Sequence, residues 1–417
     1  MRTLSEWLVY IERQHPKTIA LGLERVAEVW RRMGAALACP AITVGGTNGK
    51  GSTCAMLEAI LRAAGHKTAL YTSPHLLRYN ERVRIAGAEA SDDSLCDSFA
   101  AVEAARGEMP LTYFEYGTLA ALWLFSRESA EAVVLEVGLG GRLDAVNIVD
   151  ADCAVLTSVG IDHVDYLGPD RESIGREKAG IFRVGRPAVI AEPQPPASVL
   201  AAPGDHLLLG RDFGYVDQQT QWSYWGPTGR RSGLAHPALR GPLQLRNAAA
   251  ALCALDTLRA RLPVAMQDVR RGFAEVVLPG RFQVLPGRPQ VILDVAHNPE
   301  AARVLAENLA ASGFAPETIA VCGMLRDKDI PGVLSELACR ITRWHFASLP
   351  GPRAASAGEL ARHIDEKIPK EEFSSATQAF AAALKRADEN DKIVVFGSFL
   401  TVGEVLQWLN NNKTSKR

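Results

Sequence analysis

The chain has 417 residues, 47% hydrophobic and 22% charged, with a formal net charge of −1; its length predicts roughly two to three domains and a substantial core. The balanced charge, with no basic block except the tail Lys413-Thr414-Ser415-Lys416-Arg417, argues against nucleic-acid binding. Arg2, Glu6, Glu12 and Arg13 break up the N-terminus, no apolar run reaches the ~20 residues of a membrane helix, and seven cysteines form no Cys-x-x-Cys pair, which together predict free thiols in a reducing, cytosolic setting.

The first element is a buried strand, Ala41-Ile42-Thr43-Val44, followed by Gly45-Gly46-Thr47-Asn48-Gly49-Lys50-Gly51-Ser52. Leu57, Ile60, Leu61 and Ala64 then fall on one helical face closed by Gly65. A glycine loop between strand and helix aims backbone N–H groups and the positive end of the helix at phosphate oxygens, with Lys50 adding a charge, so the stretch predicts nucleoside triphosphate binding. The strict phosphate-loop pattern has Gly where Val44 stands and Ser or Thr where Gly51 stands, so the hydroxyl of Ser52 comes one residue late. Glycines in this place can also serve only a tight turn.

From about 41 to 185 strands and helices alternate, including a helical pattern at Tyr116–Phe125 and strands at Ala132–Val137 and Ala154–Val159, which predicts a parallel sheet covered by helices. Glu136 interrupts an otherwise apolar strand, where an unpaired carboxylate is costly; it needs Mg²⁺, a pairing with Arg142 or a helix to cap. The second strand leads into Gly160-Ile161-Asp162-His163, where His163 either binds metal or phosphate or is a solvated loop residue. Arg171, Ile174, Lys178 and Ile181 form a helical stripe that turns Lys178 inward, so its ammonium is paired, neutralised, chemically modified or snorkelling to an acid. Residues 186–245, rich in Pro and Gly around Trp222-Ser223-Tyr224-Trp225, predict a small antiparallel β patch on the edge of the main sheet, and Ala248–Arg261 a helix.

A second α/β unit begins near residue 286, with strands Val291–Val295, Ile319–Cys322 and Ile393–Phe396. Its strand ends carry Asp294, His297 and Asn298, then Gly323 to Asp329, then Gly397-Ser398-Phe399, where α/β sheets present ligands; Asn298 and Asp327 can equally serve as helix caps. The two units are expected to face each other across a cleft, and the last eight or so residues to be disordered.

Taken together, Gly46-Thr47-Asn48-Gly49-Lys50-Gly51-Ser52, Tyr71-Thr72-Ser73-Pro74-His75-Leu76, Asn80-Glu81-Arg82-Val83, Glu136-Val137-Gly138-Leu139-Gly140-Gly141-Arg142-Leu143-Asp144, Asp162-His163, Gly175 to Ile181 and Asp294-Val295-Ala296-His297-Asn298-Pro299 resemble the Mur-ligase superfamily. Within it they are most similar to the folylpolyglutamate synthases, in particular the bacterial enzymes that are also dihydrofolate synthases, and the resemblance covers nearly the whole chain. It implies an ATPase domain with a parallel sheet and a β patch at 1–285, carrying the pteroate site, and a Rossmann-like ligase domain at 286–417. It also implies a cytoplasmic monomer that uses ATP and two Mg²⁺ ions, with 7,8-dihydropteroate, reduced folates and L-glutamate as substrates.

By position, the resemblance gives Ser73, Glu136, His163 and a carbamylated Lys178 to metal, and accepts Gly51 as normal in this branch. Thr47, Asn48, Gly49, Lys50, Gly51, Ser52, Asn247, Arg281 and Asp294 go to ATP. Leu21-Gly22-Leu23, Thr112-Tyr113-Phe114-Glu115 and Leu143-Asp144-Ala145 go to pteroate, and His297 and Ser398 to the incoming glutamate, with Lys50, Lys178 and His297 counted as catalytic. The implied chemistry is attack of a substrate carboxylate on the γ-phosphate, then of the glutamate amine on the acyl phosphate, with domain closure excluding water. A murein-building relative would place a further substrate domain before the loop, where only about 45 residues stand, and a guanine switch would want Asn-Lys-x-Asp, which is missing. The alternative within the family is an enzyme that only extends folates.

Overall fold

The computed structural model describes residues 2–17 and 19–414. They divide into two compact units: one built from the residues up to His75 with Tyr79–Ala238 and Gln244–Val276, the other from Leu76–Arg78, Leu239–Leu243 and the residues from Val277 onward.

In the first unit, apolar runs form β1 (Ala41–Gly45), β2 (Thr68–Tyr71), β3 (Val83–Ile85), β4 (Ala88–Glu89), β5 (Ala132–Glu136), β6 (Cys153–Leu156), β7 (Pro187–Ile190) and β8 (Asp205–Leu208). They make one sheet in the order β4-β3-β2-β5-β1-β6-β7-β8, parallel except for β3 and β4 at one edge. The central strands β1 and β5 are buried along their whole length, as a sheet covered on both faces requires. The register sets Val44 beside Glu136, so the carboxylate emerges next to the strand that enters the glycine loop.

Residues 186–245 depart from the expected edge patch. β7 and β8 extend the main sheet, whereas β9 (Gly214–Asp217), β10 (Trp222–Gly226) and β11 (Gly229–Leu234) form a separate three-stranded antiparallel sheet. The strand expected to reach Val159 ends at Leu156, because Thr157 and Ser158 turn their hydroxyls to the glycine loop. The helices run Tyr113–Arg127 and Leu243–Thr257, the latter starting and ending earlier than its Ala/Leu content implied. The expected disordered tail is helical as far as Thr414, and the remainder lies outside the described residues.

The second unit orders β12 (Gln283–Leu285), β13 (Gln290–Leu293), β14 (Thr318–Cys322), β15 (Arg343–Ala347), β16 (Lys370–Phe373) and β17 (Lys392–Phe396) as β12-β13-β17-β14-β15-β16, parallel except for β12. Side-chain alternation splits its core in two: Val394 and Phe396 pack on one face with Ile292 and Trp344, and Ile393 and Val395 on the other with Leu293 and Phe380. All seven cysteines are free, and no helix among the described residues is long and apolar enough to cross a membrane.

The helix Met266–Glu275 crosses the helix Lys50–Ala63 at Gly272, where a Cβ would stand 2.6 Å from Ile60 Cα and 2.7 Å from its backbone nitrogen. Helix propensity alone favours alanine there by about 1 kcal/mol, but overpacking against backbone costs about 1–3 kcal/mol and wins. Gly272→Ala therefore lowers the unfolding midpoint in urea; an equal or higher midpoint would contradict this packing.

Candidate active site

The glycine loop is shaped by its neighbour. Thr47 N donates to Ser158 O (2.9 Å), Asn48 N to Ser158 Oγ (2.9 Å) and Gly160 N to Thr47 Oγ1 (2.9 Å), while Thr157 Oγ1 donates to Asn48 O (2.7 Å). Gly46 sits at φ 147 so close to this segment that a Cβ would overlap Thr157 Oγ1, and Gly49 at φ 92 would bring one to 2.6 Å from Asn247 Oδ1. No side chain caps the helix that starts at Lys50, so its first-turn N–H groups suit an anion. Lys50 Nζ folds back onto the carbonyls of Gly46 (3.1 Å) and Thr47 (3.3 Å). Gly51 and Ser52 are buried in the first turn. Thr157 and Ser158 were not singled out from sequence; the signal was two adjacent hydroxyls at the end of an apolar run.

Glu136, 5% exposed, accepts a hydrogen bond from Ser73 N at 3.1 Å, which joins two of the residues expected at metal. Arg142, the alternative partner, pairs with Glu177 at 2.9 Å. His163 stands before the short helix Val164–Leu167 at φ 53, its backbone N–H donating to Asp162 Oδ1 and its Nε2 3.8 Å from Asp162 Oδ2. Lys178 is 5% exposed in the helix Arg171–Ala179, and its ammonium has no hydrogen bond or ion pair among the described residues, so it is not snorkelling to an acid. Burial, reinforced by the charge of Lys50 and opposed by Asp162 and Asp144, brings its pKa down to about 7. Among the described residues no group of three or more His, Cys, Asp or Glu side chains is arranged to hold a metal.

The segments expected at pteroate are drawn together by one ion pair. Arg25 Nη2 donates to Glu115 Oε1 (2.6 Å) and to Ala20 O (2.8 Å), which brings the segment leading into Leu21-Gly22-Leu23 to the start of the helix Tyr113–Arg127. There Thr112 Oγ1 accepts from Glu115 N and Glu115 Oε2 from Thr112 N. Phe114 covers Gly138, where a Cβ would lie 2.6 Å from its ring, and Tyr113 packs under the guanidinium of Arg82. Asp144 instead serves the fold: it accepts from Leu139 N (2.8 Å) and Val146 N (3.0 Å), capping the turn Ala145–Ile148, and burial lifts its pKa to about 6. Arg25 was missed as a site residue because only tertiary contact reveals its partner.

In the second unit the ends of the adjacent strands β13, β17 and β14 carry the expected residues. Asp294 accepts from Phe282 N and Ala296 N, both at 2.8 Å, and burial raises its pKa against the charge of Arg281. The Arg281 guanidinium lies 5.2 Å from the Phe399 ring centre, and His297 Nδ1 meets Val295 O at 2.7 Å beside the same ring. Ser398 Oγ accepts from Leu400 N, starting the last helix. Asn298 does cap Pro299–Ala311, but the helix Ile330–Leu337 is capped by Asp329, while Asp327 pairs with Arg353.

Residues 44–195 match the Mur ligase middle domain and residues 280–399 the Mur ligase glutamate ligase domain. The chain is 47% identical to the dihydrofolate synthase/folylpolyglutamate synthase of Escherichia coli K12, covering 99% of this chain and 96% of that protein. Its fold is similar to E. coli FolC in complex with DHPP and ADP, with a TM-score of 0.94, 46% identity and 99% of each chain covered. A bifunctional folylpolyglutamate synthase/dihydrofolate synthase with Mn, AMPPNP and L-glutamate bound gives a TM-score of 0.91 at 47% identity over 98% of each chain.

Proposed function

This chain belongs to the Mur ligase family, in the branch of the bifunctional dihydrofolate synthase/folylpolyglutamate synthases, and from that premise we propose how its residues share one reaction. The protein is an ATP-dependent amide ligase that joins L-glutamate to dihydropteroate and further glutamate to reduced folates. The observation that carries the reading is the braced loop Gly46–Lys50 at the head of an uncapped helix, a cradle for the phosphates of ATP.

The substrate carboxylate attacks the γ-phosphorus, ADP leaves, and the resulting acyl phosphate is opened by the amine of glutamate with release of phosphate. Lys50 neutralises charge as the phosphoryl group moves, and the N–H groups after Gly49 hold the phosphates in line. Thr47, Asn48, Gly51, Ser52 and Asn247 complete the nucleotide contacts of the first unit, and Arg281 and Asp294 are assigned to the nucleotide from the second. Leu21 to Leu23, Thr112 to Glu115 and Leu143 to Ala145 bound the pteroate site, with His297 and Ser398 turned to glutamate. Residues 1–285 thus carry the nucleotide and pteroate sites and 286–417 the ligase domain.

Ser73, Glu136, His163 and Lys178 are assigned to two Mg²⁺ ions, which when bound offset the charge of the triphosphate. The fit rests on the chemistry of the donors: a buried carboxylate, an imidazole, a hydroxyl and a buried amine with no partner. An amine with a pKa near 7 is neutral enough to take up CO₂, and the carbamate turns an unpaired cation into an anionic ligand. The enzyme is further assigned to the cytoplasm as a monomer.

Because only the neutral amine reacts, ¹³C-bicarbonate should give a protein carbamate signal that grows as pH rises through about 7, well below the range of an ordinary lysine. Lys178→Ala should lose the signal and cut turnover by about 100-fold; a signal unchanged in that variant would reject the assignment. The double activity is tested by ATP consumption with dihydropteroate and with tetrahydrofolate, each with and without L-glutamate. Glutamate-dependent consumption is expected with both acids, and consumption with tetrahydrofolate alone would reduce the enzyme to a folylpolyglutamate synthase.

A further inference from the structure

The first unit contains a second polar cavity, of about 110 Å³, outside every segment assigned above. The helix Leu243–Thr257 supplies Leu252, Leu255 and Asp256, the residue Arg259 follows it, the β10–β11 hairpin contributes Thr228 and Arg231, and Val264 and Val269 close the wall. Asp256 is buried and its oxygens are taken: Oδ2 accepts from Tyr224 OH (2.7 Å), and Oδ1 from Thr228 Oγ1 (2.7 Å) and Arg231 Nη2 (2.6 Å). Arg231 Nη1 is left buried with no hydrogen-bond partner. Arg259, exposed at the cavity, has neither hydrogen bond nor ion pair among the described residues.

Two guanidinium groups against one carboxylate leave the cavity with one excess positive charge, and a buried N–H without a partner costs about what one hydrogen bond contributes. The rest of the lining is aliphatic. A hydrated phosphate would set its remaining oxygens against Leu252, Leu255, Val264 and Val269 with nothing to donate to them, and a dianion would also be repelled by Asp256. A carboxylate with a short aliphatic body satisfies both halves: its two oxygens suit the planar forks of arginine, and its carbons the apolar wall. The volume, compared with the about 30 Å³ that one water takes in the liquid, limits the body to a few carbons.

We infer that this cavity is a binding site for a small aliphatic carboxylate, held at its head by Arg231 and Arg259 and along its body by Leu252, Leu255, Val264 and Val269. The site stands apart from the nucleotide and pteroate sites and does not depend on their assignment. It is tested by titrating the full-length protein, with ADP saturating the nucleotide site, with butyrate, with n-butanol as the neutral equivalent and with inorganic phosphate, followed by ligand-observed NMR. Butyrate should bind with a dissociation constant on the order of millimolar, as its few heavy atoms allow, and more tightly than n-butanol or phosphate. Arg259→Gln should weaken butyrate about tenfold or more, and Val264→Phe, which fills the cavity, should abolish it. Arg231 is left intact because its loss would strand Asp256, so both variants should keep the wild-type melting curve and ligase rate. No butyrate binding, binding unchanged in Arg259→Gln and Val264→Phe, or phosphate binding more tightly than butyrate would each overturn the inference.

Discussion

Hydrogen bonds between residues 47–48 and 157–160 hold the loop on which the catalytic chemistry depends. A glycine loop free to move would have to be ordered by ATP itself, at the cost of backbone entropy for each residue fixed. Here the ordering is already done by Thr157 and Ser158, whose hydroxyls replace the ladder that β6 gives up after Leu156. The arrangement also explains why Gly46 and Gly49 are glycines: one backbone passes against Thr157 and the other against Asn247, both at positive φ. Lys50, folded onto the loop's own carbonyls, keeps its charge at the place where phosphates arrive.

Around that loop the structure concentrates buried charge. Glu136 ends a strand with its carboxylate near the loop strand, Lys178 is enclosed without a partner, and Asp144 is kept partly protonated by burial though two backbone N–H groups point at it. Such groups destabilise a fold unless a ligand compensates them, and a triphosphate with divalent cations supplies charges of both signs. The pteroate segments follow a different rule. They come from chain positions about ninety residues apart and depend on Arg25 and Glu115, an ion pair mostly withdrawn from solvent, so their geometry belongs to the packed unit rather than to any local motif.

Much of this was legible in the sequence where a local pattern carries the information. The glycine loop, the alternating strands and helices, the acidic interruption at Glu136 and the inward stripe ending at Lys178 are all written in consecutive residues or at helical spacing. The hydroxyl brace was not, because Thr157 and Ser158 follow an apolar run and read as more strand. Nor was β16, Lys370-Glu371-Glu372-Phe373, an edge strand whose exposed charges hide the β pattern. The segment 186–245 was misread because Pro and Gly marked its turns correctly but could not say that β7 and β8 join the main sheet while β9, β10 and β11 pair only among themselves. Which acid partners which base over long separations, as with Arg142 and Glu177 instead of Glu136, is decided by packing alone.

The central claim is that one loop-bound ATP activates two different acids by the same phosphoryl transfer. The most direct test follows oxygen: dihydropteroate and tetrahydrofolate, each labelled with ¹⁸O in the reacting carboxylate, are turned over with ATP and L-glutamate, and the released phosphate is analysed by mass. An acyl phosphate requires one labelled oxygen to leave with phosphate in both reactions. Label retained entirely in the amide product, with either acid, would contradict the account.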